Sequence, residues 1–293
     1  MARIIEICGS PGVGKSTIFK ELEKISENGD AWETVSNKNP MGEKSHLEFL
    51  EELLSELKKG RRPINSRVSK LEDSFSFIKR IYRKFKLGRN FTDLYILKQA
   101  GERFVSKYPK YVDACWKNIF YKQGSSSNGM DLRFEKAEFI YLIMKKFQIL
   151  MEKKDDKTFI IDEGLINMID RGLYKSNNII DEKVEIKDLL DTMPWPNGIV
   201  YLYTDLVENA KRIKYRTDIR DMHKGLTSKE IIEFSAASRQ RIVTAIEYVK
   251  ECGCPVLVLD STESIRDNAL RIVEFIKNEF HEIPVKGILQ NRY

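Results

Sequence analysis

Residues 3–24 read RIIEICGSPGVGKSTIFKELEK, and no other stretch of the chain limits its fold as tightly. Arg3–Cys8 is a short run dominated by β-branched apolar residues, which predicts a buried strand. Gly9–Ser16 then spells G-x-x-x-x-G-K-S and is followed by Thr17, after which Ile18, Phe19 and Leu22 recur at helical spacing. Strand, glycine loop and helix arrive in the order that a phosphate-cradling loop requires. Gly9, Gly12 and Gly14 let the backbone curl so that successive N–H groups point at phosphate oxygens, and the helix that starts near Lys15 adds its positive end. Lys15 is placed to reach the β- and γ-phosphates, and the Ser16 hydroxyl suits Mg²⁺. Gly9, Gly12, Val13, Gly14, Lys15, Ser16 and Thr17 are therefore the expected nucleotide-binding residues, with ATP and Mg²⁺ as the expected ligands.

A second acidic signal fits the first. TFIIDEG (Thr158 to Gly164) is an apolar strand that ends in two carboxylates and a glycine. In proteins with a phosphate loop, the neighbouring strand carries an acid at its tip for Mg²⁺ or its water shell, and Asp162 stands there. Glu163 beside it suits a general base, or a group that orients a water or a substrate hydroxyl. Acidic pairs also end many strands at solvent, so the phosphate loop upstream is what favours function.

Two further strands are expected, GIVYLYTD (Gly198 to Asp205) and PVLVLDST (Pro255 to Thr262). Between them, VENAKRIKYRTDIRDMHKG reads as a helix in which Arg212, Arg216 and Arg220 recur every four residues and so share one face. Three guanidinium groups on one stripe repel each other unless an anion or acidic residues lie opposite, which points to a phosphate-facing stripe. A solvated amphipathic helix is the plainer alternative. AWETVS (Ala31 to Ser36) is a short second strand, Phe134–Lys154 and SIRDNALRIVEFIKNEF are helical patterns, and QGSSSNGM (Gln123 to Met130) is a loop. The resulting expectation is an α/β fold, a parallel sheet with helices on both faces and a large helical insertion at about 40–135.

Charge is unevenly spread. Residues 58–90 hold twelve Lys or Arg against only Glu72 and Asp73, whereas the whole chain of 293 residues carries +6. Such a block can bind nucleic acid, an anionic membrane surface or a phosphorylated substrate, or it can simply be solvated. With no long apolar run, no transmembrane helix is expected. The first strand begins at Arg3, so no signal peptide is expected either. Four scattered cysteines, among them a lone C-G-C at Cys252–Cys254, fit reduced thiols in a cytoplasmic protein better than disulfides or a metal site. Oligomeric state is not set by the sequence.

The order of these parts resembles the P-loop small-molecule kinases, in particular the thymidylate kinase and deoxynucleoside kinase group. GSPGVGKST is similar to that group's phosphate loop. Phe134–Lys154 followed by FIIDEG resembles its long helix and acid-tipped strand. MPWPNGIVYLYTDLVENAKRIKYR resembles its strand that leads into an arginine-rich lid, here at about 208–228, and VLVLDSTESIRDNALRIVEFI its closing strand and helix. The resemblance covers about residues 1–25 and 134–280 and implies one kinase-like domain over 1–293. It implies that Lys15 and Ser16 hold the ATP phosphates and Mg²⁺, that Asp162 or Glu163 acts near the acceptor, and that Arg212, Arg216 and Arg220 clamp the transferring group. It also implies a loop near the adenine between the last strand and helix. The chain departs from the group in having Glu163 and Gly164 where an arginine usually follows the strand-tip acid. That acid would repel a monophosphate acceptor unless metal or Arg171 compensates. The second strand lacks the group's Glu-Pro, offering Glu33 and then Asn39-Pro40.

A phosphotransferase of unidentified acceptor is thus the leading expectation. An ATPase, or a regulatory nucleotide-binding protein whose basic insertion docks on nucleic acid or an anionic membrane surface, are the alternatives. A GTPase fits less well, because DEG is not D-x-x-G and no N-K-x-D follows a strand.

Overall fold

The computed structural model describes residues 2–26, 31–35, 88–119, 129–154, 156–170, 179–216, 223 and 225–280. Five strands form one sheet: β1 (Arg3–Cys8), β2 (Trp32–Val35), β3 (Thr158–Ile161), β4 (Gly198–Tyr203) and β5 (Val256–Asp260). Every pairing is parallel and the order across the sheet is β2-β3-β1-β4-β5. β1 therefore lies in the middle, and the connections that leave the carboxyl ends of β1 (to β2) and of its neighbour β3 (to β4) run toward opposite edges of the sheet. That is where parallel α/β sheets open a crevice for ligands.

Alternation along the strands divides the core into two layers. On one face Ile5 and Ile7 of β1, Ile160 of β3 and Val200 and Leu202 of β4 pack under two helices, α1 (Lys15–Ile25) and, closing the chain, Ile265–Phe280. Ile18, Phe19 and Leu22 of α1 join Ala269, Ile272 and Ile276 there. The other face takes Ile4 and Cys8, Phe159 and Ile161, and Ile199 and Tyr201. It is covered by a thicker helical layer: α2 (Gly88–Lys107), α3 (Pro109–Lys117), α4 (Gly129–Glu152), the short α5 (Leu165–Met168) and α6 (Ile179–Leu190). After β4 come α7 (Leu206–Lys214) and α8 (Ser228–Glu251), and Ile265–Phe280 is α9.

The strands follow the sequence reading within a residue or two, apart from the tips at Asp162–Gly164, Thr204–Asp205 and Ser261–Thr262, which lie beyond the ladders. Three elements differ. α4 starts at Gly129, earlier than the apolar pattern indicates, so the expected loop at 123–130 ends inside a helix. The end of the expected insertion belongs to the core: Phe104, Tyr111, Val112 and Cys115 are buried in the cluster that α4 and the sheet share. Residues 40–87 and 120–128 of it, including all of the basic block except 88–90, lie outside the described residues. The third difference is α7, which stops at Lys214, with Tyr215 as its C-cap. Arg216 thus lies past the helix rather than on the face of Arg212, and Arg220 lies outside the described residues.

α8 went unread as a helix. Thr227 and Glu230 form a reciprocal capping box at its start: Thr227 Oγ1 accepts from the Glu230 N–H at 3.3 Å, and Glu230 Oε2 accepts from the Thr227 N–H at 2.7 Å. Replacing Thr227 by Ala is expected to lower stability by about 1 kcal/mol in chemical denaturation, with the native cleft unchanged. Among the described residues, no helix is long and apolar enough to cross a membrane.

Candidate nucleotide and phosphoryl-transfer site

Gly9 and the run Pro11–Thr17 bend around the carboxyl end of β1. Gly12 and Gly14 have φ of 90° and 96°, in the left-handed region that glycine enters without penalty. Gly12 has a second reason to lack a side chain. A Cβ there would meet the Asn209 amide oxygen, and would come within 2.7 Å of Ile213 Cγ1, both on α7. The loop is thus packed directly under α7, and the Asn209 amide donates to Ser10 Oγ at 3.1 Å. The first helix turn after Gly14 carries no acidic residue, which keeps the positive end of α1 available to an anion.

One cleft of about 380 Å³ collects most of the expected site. It is lined by that loop, by Asp162 and Glu163 beyond β3, and by Arg212 and Arg216. Lys15 Nζ donates to the carbonyls of Gly9 and Ser10, the latter at 3.1 Å. Arg212 is anchored three ways: Nε donates to Glu208 at 3.0 Å, Nη1 to Ser261 Oγ at 2.9 Å and Nη2 to the Ser261 carbonyl at 3.3 Å. It bridges α7 to the turn after β5, and its Nη1 lies 3.9 Å from where a Cβ on Gly14 would be. The first part of the expected lid is therefore fastened to the loop and to the β5 turn.

Several lining residues escaped the sequence reading. Asn167 and Asp170 come from α5 and the turn that extends it, Ser261 and Glu263 from the β5–α9 connection, and Asn268 from the first turn of α9. The Asn167 amide donates to the Ile7 carbonyl at 2.7 Å, and its oxygen accepts from the Gly9 N–H at 3.4 Å. Asp170 is buried with one carboxylate oxygen lacking a hydrogen-bond donor; the Arg241 guanidinium stands 3.6 Å from it and 3.2 Å from Glu182. Desolvation pushes the Asp170 carboxyl above its ordinary range, with Ser238, Arg241 and Lys15 pulling the other way.

Lys146 was hidden inside the apolar face of α4, where it is 1% exposed with its ammonium 3.9 Å from Asp162 Oδ1. Burial pulls its pKa down to about 8, against the fields of Asp162 and Glu6. Asp162 Oδ1 is itself buried and accepts no hydrogen bond. An acidic side chain whose buried oxygen has the Lys146 ammonium nearby but no hydrogen-bond donor, in a cleft that Ser16 also lines, fits a hard, oxygen-seeking divalent cation such as Mg²⁺. Among the described residues, no group of three or more His, Cys, Asp or Glu could hold a metal by itself. A cation here would need other oxygens as well, and phosphates provide them.

Parallel sheet, glycine loop and acid-tipped neighbouring strand together make this a P-loop α/β fold. No protein-family model matches the chain, and none of the curated proteins matches it. Among solved structures the chain is similar to a deoxyadenosine kinase from M. mycoides with bound dATP. The two share 14% identity over 94% of this chain and 99% of that one, with a TM-score of 0.40.

Proposed function

We propose that this protein is an ATP-dependent phosphotransferase of the small-molecule-kinase type, moving the γ-phosphoryl group of ATP to a hydroxyl-bearing acceptor. The observation that carries the reading is the shared cleft: phosphate loop, two strand-tip carboxylates and two arginines face one space. Phosphoryl transfer asks a protein mainly for alignment and charge neutralisation. The loop N–H groups and Lys15 hold the phosphates. Ser16 and Asp162 would hold Mg²⁺, which when bound neutralises charge on the phosphate oxygens. Arg212 and Arg216 stabilise the charge that builds up during transfer. Glu163 takes the proton from the acceptor hydroxyl as its oxygen bonds to phosphorus and the bond to the ADP oxygen breaks. Ser261 and Glu263 on the β5–α9 connection, where the adenine is expected, and Ile265 and Asn268 at the start of α9 also line the cleft.

An ATPase is the second reading, favoured by one feature: a second acid, Glu163, follows Asp162 where an arginine is expected. ADP release should separate the two when measured against nucleosides, nucleoside monophosphates, sugar phosphates, nucleic acid and anionic vesicles. Stimulation by a small acceptor supports transfer. Stimulation by nucleic acid or vesicles alone overturns it.

The two carboxylates should separate as well. Asp162→Asn is expected to raise the Mg²⁺ concentration needed for half-maximal turnover about tenfold. Glu163→Gln is expected to lower kcat about a hundredfold with ATP affinity kept. Normal turnover in both variants would make the pair an ordinary polar strand end.

A further inference from the structure

Glu6 stands in the middle of β1, on the sheet face that also carries Ile4 and Cys8, and its side chain is fully buried. A carboxylate there is costly unless hydrogen bonds compensate. Three backbone donors do so, all from the segment just past the tip of β3. Glu6 Oε1 accepts from the N–H of Gly164 at 3.2 Å and of Asn167 at 2.7 Å, and Oε2 accepts from Ile166 at 3.1 Å. Gly164 fits because it has no side chain: a Cβ there would fall on the Glu6 carboxylate. The Asn167 side chain ties the same segment to the Ile7 carbonyl and the Gly9 N–H, the last of these at the first residue of the phosphate loop. Asp162 and Glu163 thus sit on a turn whose following residues are fastened at several points to the strand that launches the loop.

We propose that Glu6 is a positioning residue of the site: it braces the Asp162–Gly164 turn against β1 and so sets where the two strand-tip carboxylates stand relative to Lys15 and Ser16. The brace is built from backbone N–H groups, so it fixes the turn without using either carboxylate. Lys146 on α4 feels the charge of both Glu6 and Asp162, so the brace and the strand tip share a nearby cation. Desolvation pushes the Glu6 carboxyl up to about 7 while the three N–H groups and Cys8 pull it down. Cys254, ahead of β5, feels the Glu6 charge in turn. This role rests on the phosphotransferase reading only for its consequence; the brace itself is a matter of geometry.

Glu6→Gln tests it in the full chain, because the amide keeps the shape but turns an N–H donor toward backbone donors. Two readouts are used: ATP affinity by calorimetry with EDTA and with Mg²⁺, and amide hydrogen exchange at Gly164, Ile166 and Asn167. Metal-free ATP affinity should stay within about twofold, the Mg²⁺ enhancement should shrink about tenfold or more, and the three amides should exchange faster. Gly164→Ala, which displaces the turn and leaves Glu6 in place, should reproduce the pattern and serves if Glu6→Gln does not fold. If either variant lowers Tm but keeps wild-type Mg²⁺ enhancement and wild-type exchange, Glu6 is only a core residue and the proposal falls. Faster exchange in the variants, with no transfer to any acceptor by the wild type, would remove the phosphotransferase reading and leave the brace standing.

Discussion

Lys15→Ala should abolish ATP turnover and weaken ATP binding about 10- to 150-fold while the fold survives. Loss of a charge-assisted hydrogen bond to phosphate accounts for about 1.5–3 kcal/mol of binding. The turnover loss is larger, because the ammonium also acts on charge that develops at the β–γ bridge during transfer. The fold survives because Lys15 does not shape the loop. The left-handed glycines and the packing of Gly12 under Asn209 and Ile213 do that, while the lysine donates to the Gly9 and Ser10 carbonyls. Calorimetry with ATP and a thermal melt check both halves. Wild-type ATP affinity in a folded Lys15→Ala protein would remove the phosphate-loop assignment.

Arg241→Met should be the most destabilising of these substitutions. One guanidinium serves both Asp170 and Glu182 in a nearly buried setting, its side chain 14% exposed. Removing it strands two acids, at a cost of about 3–5 kcal/mol near pH 8. The sign with pH follows from Asp170. Its carboxyl is already raised by desolvation, and without Arg241 it rises further, so the folded state binds a proton more readily than the unfolded chain. Stability is then retained at low pH and lost as pH climbs through that raised value. The gap between variant and wild type should narrow from pH 8 to pH 5 in urea titrations. A gap that is constant with pH would mean that Asp170 does not titrate with the lost partner.

The sequence exposes local order far better than partners across the chain. Four of the five strands could be read because apolar, β-branched runs end at glycines or acids, β2 from the short run AWETVS, and the phosphate loop because its spacing is local. α8 was hidden because its buried stripe runs through Ser235 and Ser238, small polar residues that interrupt the apolar pattern. The arginine stripe failed differently: four-residue spacing places side chains on one face only while the helix lasts, and α7 ends before Arg216. Arg216 reaches the cleft all the same, from the segment past the helix. Glu6 and Lys146 are the clearest losses. A charge inside an apolar run reads as a solvent-facing position. What buries each of them is a partner far away in sequence: 158 to 161 residues for the donors of Glu6, and the tip of β3 for Lys146. Asn167 and Asp170 were lost in LINMID, where neighbouring apolar residues make a polar side chain look incidental.

The fate of the γ-phosphate tests the central claim most directly. ATP labelled at the γ-position is incubated with the wild-type protein, Mg²⁺ and each candidate acceptor, and the labelled products are separated. Phosphotransfer predicts label on an acceptor, in proportion to ADP formed, and none of it in the Lys15→Ala protein. Label recovered only as inorganic phosphate, at a rate that no nucleoside, nucleotide or sugar phosphate changes, would contradict it.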